Sequence, residues 1–190
     1  VLFVPSMNTN MYENPIVQAN MEKLKSFGYE FVEPESGHLA CNTSGKGRFP
    51  ALETIMDCAE KCIYGRELLK GKKVIVSAGG TQEKIDPVRY ISNRSSGRQG
   101  YAIAKAAWME GADVTLVSCT TALPKPYGVK MVYVQDAREL EKAMNAEYDT
   151  CDAAIMAAAV SDYRPTVQAD QKIKKEDFDY LHIDLTQNPD

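Results

Sequence analysis

No run in this 190-residue sequence is apolar over the roughly 18–20 residues that a bilayer span requires, and no secretory leader pattern stands at its start. The reading is of a chain with no membrane partner. A basic excess is missing as well. Lys+Arg 22 against Asp+Glu 26 gives a formal net charge of −4, which argues against a nucleic-acid binder but leaves room for local basic sites facing small anions. Cysteine is sparse and odd in number: Cys41, Cys58, Cys62, Cys119 and Cys151 are irregularly spaced, which suits a reduced, cytoplasmic protein better than a disulfide scaffold. Cys58 and Cys62 stand four apart, but no second Cys/His pair completes a zinc site, and no metal ligand is assigned. There is no initiating Met and no terminating element after Asn188-Pro189-Asp190, so both ends read as cuts in something longer. What is present is ordinary for a globular domain, with 44% hydrophobic and 25% charged residues, enough for a core.

The pattern along the chain changes near residue 70. Before it, the sequence predicts a strand over 1–4, a loop over 5–15, a helix over 16–27 stopped by Gly28, and a strand over 29–32. A mobile loop rich in Gly, Ser, Asn and Lys is expected over 36–50, then a helix over 52–69 with Leu52, Ile55, Met56, Ala59 and Ile63 at spacings of three and four. Lys70-Gly71-Lys72 is the expected junction between a domain at 1–70 and one at 71–190. Beyond it lie strands over 74–77, 114–117, 131–134 and 153–158, with helices over 97–110 and from the capping Asp136 to 145. Strands alternating with helices imply an α/β fold with a doubly wound, Rossmann-like sheet, whose ligands sit beyond the carboxyl ends of the strands.

The second segment carries the stronger constellation. About twenty residues separate the strand at 74–77 from the helix at 97–110, far more than a βα loop needs. They include Gly79-Gly80-Thr81, Asp86-Pro87-Val88-Arg89 and Ser92-Asn93-Arg94-Ser95-Ser96-Gly97. The glycines admit close backbone approach, and Ser95, Ser96 and Gly97 meet the first helical turn, where a phosphate is favoured; an ordinary capped helix behind a decorated loop is the alternative. A G-x-G-x-x-G turn is absent, and no acid follows Val117-Ser118-Cys119, so a nicotinamide-dependent reductase is the weaker reading. Further on, Met156, Ala157 and Ala158 lead into Val160-Ser161-Asp162-Tyr163-Arg164-Pro165, a run of small residues against which a base or ribose fits, with Asp162 placed to accept hydrogen bonds. Lys172-Ile173-Lys174-Lys175 offers ammonium groups to a triphosphate, or is a solvated charge run.

Taken in order and spacing, these motifs resemble the bacterial phosphopantothenate–cysteine ligases, and Asn188-Pro189-Asp190 resembles the start of a further motif of that family. The first segment adds Pro5-Ser6-Met7-Asn8-Thr9-Asn10-Met11-Tyr12 and Gly37-His38-Leu39-Ala40-Cys41-Asn42-Thr43-Ser44-Gly45-Lys46-Gly47-Arg48-Phe49-Pro50. On its own Asn8 is a helix cap or a substrate contact, and Cys41 is an inert thiol or a proton donor whose thiolate Arg48 or Lys46 assists. Together they resemble the substrate motif and cysteine flap of the flavodoxin-like, FMN-dependent phosphopantothenoylcysteine decarboxylases, with Tyr12 and Ala51 departing from the usual Trp and Glu.

The resemblance is thus to the bifunctional enzymes of coenzyme A biosynthesis. It implies two ligase steps: 4′-phosphopantothenate attacks the α-phosphorus of CTP to give an acyl-cytidylate, and cysteine then displaces CMP. It assigns Gly79, Gly80, Thr81, Ser95, Ser96 and Gly97 to the phosphates, and Met156, Ala157, Ala158, Asp162, Asn188, Pro189 and Asp190 to the nucleotide. Lys172 falls to the phosphates and catalysis, Asn93 to the acyl-cytidylate carbonyl, and Asn8, Met11 and Arg89 to substrate. Cys41 becomes the decarboxylase proton donor. Magnesium is expected on the triphosphate, and the nucleotide base is left open by the residues themselves, CTP being favoured by the fused order. Most of the flavin site and a catalytic histidine lie upstream in the family, so this piece is expected to hold FMN poorly. A homo-oligomer is implied through both domains.

Overall fold

The computed structural model describes residues 1–175 and 180–189, and it divides the chain into two compact units, Val1–Arg66 and Glu67–Asp190.

In the first unit, strand β1 (Leu2–Phe3) pairs in parallel with β2 (Glu30–Phe31), joined through helices α1 (Thr9–Tyr12) and α2 (Pro15–Ser26). Both helices open on an asparagine: Asn8 Oδ1 accepts from the Asn10 nitrogen at 2.8 Å, and Asn14 Oδ1 from the Ile16 nitrogen at 2.9 Å. The expected loop at 36–50 is instead an antiparallel hairpin, β3 (Glu35–His38) with β4 (Ser44–Arg48). Its strands have loop composition, and what orders them is their ladder and a bond from Met7 N to the Gly47 carbonyl at 3.0 Å. Helix α3 (Leu52–Tyr64) is shorter than predicted, because Gly65 turns to extended backbone (φ −63°, ψ 127°) and ends it five residues early.

In the second unit, four parallel strands take the order β10–β5–β8–β9, where β5 is Lys73–Ala78, β8 Asp113–Ser118, β9 Lys130–Tyr133 and β10 Ala153–Met156. Strands β5 and β8 are buried apart from their first residues, as a sheet covered on both faces requires. Helix α4 (Arg98–Met109) makes the crossover from β5 to β8, and α5 (Ala137–Tyr148) makes that from β9 to β10. Leu140 and Met144 of α5 pack on Ile75, Val117 and Cys119, and each such buried side chain contributes about 1.5–3 kcal/mol. Since β10 lies on the far side of β5 from β8, the chain reverses direction of growth between β5 and β10, and the crevice beyond their carboxyl ends is the ligand position of doubly wound sheets.

The long segment before α4 also differs from its expectation. It folds as the hairpin β6 (Gln82–Lys84) with β7 (Tyr90–Ser92). Strand β10 ends at Met156 rather than at residue 158, because the Ser77 hydroxyl accepts from the nitrogens of Ala157 (3.0 Å) and Ala158 (3.1 Å) and so interrupts the ladder. A last pair, β11 (Tyr163–Pro165) with β12 (Leu185–Gln187), is antiparallel. Among the described residues no helix is long and apolar enough to cross a membrane.

Candidate functional site

The switch point gathers most of the residues singled out in the second segment. The run after β5 and the run after β10 are laced together: Ala159 N donates to the Gly79 carbonyl at 2.7 Å, and Thr81 N to the Ala159 carbonyl at 3.2 Å. Thr81 is fully buried, with its Oγ1 accepting from Ser161 N at 3.0 Å. Gly79 and Gly97 have φ of +89° and +76°, conformations that other residues rarely adopt. A Cβ on Gly97 would lie 2.9 Å from Thr120 Cγ2 and 3.3 Å from the Gly79 nitrogen, so the start of α4 meets the loop backbone to backbone. Asn93 Nδ2 donates to the Val160 carbonyl at 3.0 Å, which ties the loop to the run after β10 and leaves that amide a second hydrogen.

Helix α4 starts at Gly97 with no side-chain cap, and Ser96 Oγ makes only a long bond, 3.5 Å, from Arg98 N. Ser95 N turns back to the Asn93 carbonyl at 2.9 Å. The ordinary capped helix is therefore not what stands here, and a helix start of this kind can take a phosphate.

On the run that Asn93 holds, Val160, Ser161, Asp162 and Tyr163 line a cleft of about 640 Å³ together with Gln187, Asn188 and Pro189. That volume is within the range of small-molecule sites, roughly 300–1,000 Å³. Asn188 staples it: its nitrogen donates to the Asp162 carbonyl at 2.8 Å and its Nδ2 to the Ser161 carbonyl at 2.7 Å. Its Oδ1 accepts from Arg164, which also donates to the Gln187 carbonyl. Ser161 is 5% exposed, and its Oγ has no hydrogen-bond partner among the described residues. Such a group is completed by a polar ligand atom or water. Met156 and Lys172 are exposed and neither is among the residues lining the cleft, and Asp190 lies outside the described residues.

Arg89 turns elsewhere than toward the cleft. Its Nε and Nη2 donate to Asp86 Oδ2 at 2.9 and 2.5 Å, and Nη2 also donates to the Ile173 carbonyl at 2.7 Å. The Arg89 guanidinium holds the Asp86 carboxyl well below the usual carboxylate range. The sequence brought Asp86 forward only as the first residue of a motif and gave it no role, although Asp two and three residues ahead of the nitrogens it caps is a recognisable turn signal. Ser77 at the end of a strand and Ser161 inside a motif likewise carried no role of their own, and no signal short of the fold gives them one.

A second cleft of about 570 Å³ lies past β8 and β9, lined by Ser118, Thr120, Tyr133, Gln135 and Glu139 among others. Glu139 is the carboxylate of that lining, and its Oε2 accepts from Gln135 N at 2.7 Å, so it is already engaged and the nicotinamide reading gains nothing from it.

In the first unit, Asn8 and Cys41 meet. Asn8 Nδ2 donates to Cys41 Sγ at 3.2 Å, and Thr43 Oγ1 lies 3.0 Å from the same sulfur. These hydrogen bonds, Thr43 first and Asn8 second, pull the exposed Cys41 thiol down from its ordinary range. Lys46 does not supply that effect, because its ammonium pairs with Glu33 at 2.9 Å and lies over the Tyr12 ring. Tyr12 donates to the same carboxylate at 2.8 Å. Met11 is exposed on α1. Among the described residues, no three His, Cys, Asp or Glu side chains come together to hold a metal.

Residues 69–190 match the DNA/pantothenate metabolism flavoprotein C-terminal domain, and residues 1–64 match the flavoprotein family. The coenzyme A biosynthesis bifunctional protein CoaBC of Vibrio cholerae is 44% identical over 192 residues, covering 100% of this chain and 48% of its own length. The Bacillus subtilis protein of that name is 42% identical over 93% of this chain and 44% of its own length. The chain thus spans about half the length of the curated relatives it matches. Among solved structures, the C-terminal domain of a CoaBC protein aligns at TM-score 0.54 and 43% identity, over 64% of this chain and 56% of that one. The DNA/pantothenate metabolism flavoprotein of Streptococcus pneumoniae aligns at 0.55 and 26%, over 63% and 62%.

Proposed function

We propose, from the premise that this chain belongs to the DNA/pantothenate metabolism flavoprotein family, that its second unit is the nucleotide-binding part of a phosphopantothenate–cysteine ligase. The observation that carries the reading is the cleft at the sheet's switch point, where Asp162, the unpartnered Ser161 hydroxyl and Asn188 converge and whose Val160 is held by Asn93, four residues before the uncapped start of α4. Gly79, Gly80, Ser95, Ser96 and Gly97 form the phosphate cradle, with Thr81 as its buried brace. Met156, Ala157, Ala158, Asp162, Asn188 and Pro189 take the cytidine of CTP. Lys172 faces the phosphates, and magnesium arrives with the triphosphate as part of the substrate.

The chemistry asks for position and charge neutralisation. The carboxylate of 4′-phosphopantothenate attacks the α-phosphorus, the bond to the bridging oxygen breaks, and pyrophosphate leaves. The free hydrogen of the Asn93 amide points the acyl-cytidylate carbonyl at the incoming amine of cysteine, which expels CMP and forms the amide. Working in the cytoplasm, and as a homo-oligomer, belongs to the same reading.

The first unit is read as the substrate-binding end of a flavin-dependent decarboxylase, with Asn8 and Met11 on substrate and Cys41 delivering a proton. FMN supplies redox chemistry to such enzymes when bound. Here α1 and α2 are closed at their starts by Asn8 and Asn14, α2 begins at proline, and at the uncapped start of α3 the Ala51 nitrogen already donates to the Glu35 carboxylate at 2.9 Å, so the described residues give a flavin phosphate no cradle and no step is derived through it.

Pyrophosphate release by the full-length gene product carrying this chain tests the ligase reading. With CTP, magnesium and phosphopantothenate but no cysteine, release is expected to need both substrates and to fall sharply in Lys172→Ala. Ser161→Ala should raise the KM for CTP about threefold to tenfold. Asn93→Asp should chiefly block amide formation once cysteine is added. No pyrophosphate with any nucleotide would leave a non-catalytic nucleotide-binding protein as the better account.

A further inference from the structure

Lys172 lies in irregular backbone, and what fixes that backbone is the tip of the β6–β7 hairpin. Ala169 N donates to the Ile85 carbonyl at 2.9 Å. Ile173 N donates to Asp86 Oδ2 at 3.2 Å, and the Ile173 carbonyl accepts from Arg89 Nη2 at 2.7 Å. Asp86 is 1% exposed, a carboxylate buried near the end of a short hairpin. Its two oxygens divide their work. Oδ1 closes the turn, accepting from the nitrogens of Val88 and Arg89 at 2.8 Å each. Oδ2 takes no part in the turn's backbone and, among the described residues, holds the Arg89 fork and the Ile173 nitrogen, 87 positions along the chain.

A turn of this size needs one oxygen. The second, desolvated and charged, is accounted for by what it grips. We infer that Asp86, through Arg89, is a positioning residue that pre-orders the loop carrying Lys172, so that nucleotide binding does not have to order it. This rests on the reading of Lys172 as a phosphate contact. Lys172 is the residue immediately before the clamped Ile173, about 3.8 Å away along the backbone, so the clamp sets where its ammonium can reach. Arg89, on this account, serves the nucleotide from behind the loop.

The oxygens' division of labour supplies the variant. Asp86→Asn keeps Oδ1 for the turn and puts an amide against three N–H donors, which releases the loop and spares the hairpin. In the full-length gene product, Asp86→Asn should raise the KM for CTP about tenfold while leaving that for phosphopantothenate within twofold. Trypsin, applied well below the variant's own thermal midpoint, should cut after Lys172, Lys174 and Lys175 faster. Adding Asp86→Asn to Lys172→Ala should deepen the loss by less than twofold, since both act through one contact. Arg89→Lys, which keeps the cation but loses the fork, should show the same tryptic sensitivity should Asp86→Asn fail to fold. An unchanged KM for CTP and unchanged proteolysis, with Lys172→Ala still impaired, would overturn this inference alone. So would an equal loss toward both substrates, the mark of a structural role. If Lys172→Ala itself leaves nucleotide use intact, the reading beneath falls and takes this one with it, a result visible without touching Asp86.

Discussion

At the scale of the residue, the five cysteines separate by environment rather than by sequence. Burial pushes the thiols of Cys58 and Cys119 up to about 11, whereas Cys41 is exposed and drawn downward by Thr43 and Asn8. Since the thiolate is the nucleophile, limited iodoacetamide at pH 7.5 should label Cys41 well ahead of Cys58 and Cys119, and Asn8→Ala should slow that labelling. Peptide mapping by mass spectrometry checks it, and equal labelling of the three would refute the assigned environments. The sequence offered Cys41 as a candidate because of its glycine-rich surroundings, but it pointed to Lys46 or Arg48 as the group that tunes it. The ammonium of Lys46 went instead to Glu33, thirteen residues away, a pairing that no local pattern announces. Ser161 is a similar case: a serine among small residues reads as nothing in particular until its hydroxyl is found buried and unpartnered beside a cleft.

Elements were legible where periodicity and punctuation agree. Helices α4 and α5 fall where spacing, Gly97, Gly111 and Asp136 put them, and the four strands of the parallel sheet are the apolar runs of the sequence. The two hairpins were not legible, because Glu35–His38, Ser44–Arg48, Gln82–Lys84 and Tyr90–Ser92 are too short and too polar to alternate. Their order comes from ladders and from contacts made elsewhere in the fold. The junction of α4 with the glycine loop makes a test at this scale. Gly97→Ala must place an L residue at φ +76° and move Thr120, while Gly71→Ala, at φ +74° with nothing within 4 Å, carries only the backbone strain. Each should lose about 1–2 kcal/mol to strain, and Gly97→Ala should lose more by its contact with Thr120. In thermal unfolding followed by Trp108, the sole tryptophan, Gly97→Ala should therefore melt several degrees below Gly71→Ala. Equal midpoints would mean that the loop yields and that close approach at Gly97 is not required.

At the scale of the whole molecule, acid should act on the second unit through its pinned carboxylates. Asp86 is held below its usual range by Arg89, and Asp152 by the Lys73 backbone and Lys72. A carboxyl depressed in the folded state contributes stability that is fully present above the unfolded value of about 4 and is lost as pH falls through the folded one. Urea midpoints read by Trp108 should thus be flat from neutral pH to about 5 and decline below about 4, with Asp86→Asn flattening that decline. An unaltered acid limb in Asp86→Asn would show that Asp86 is not coupled to folding. The sequence by itself determined the α/β alternation, the apolar strands, the helix starts and stops, and the motifs that point to a family, because all of these are local patterns of a few residues. Only the tertiary structure decided that β10 lies beside β5, which creates the switch-point cleft, that Ser77 cuts β10 short, and that Asp86 reaches Ile173. Each of those depends on groups some eighty positions apart meeting in space, and hydrogen bonds at that separation leave no periodicity to read.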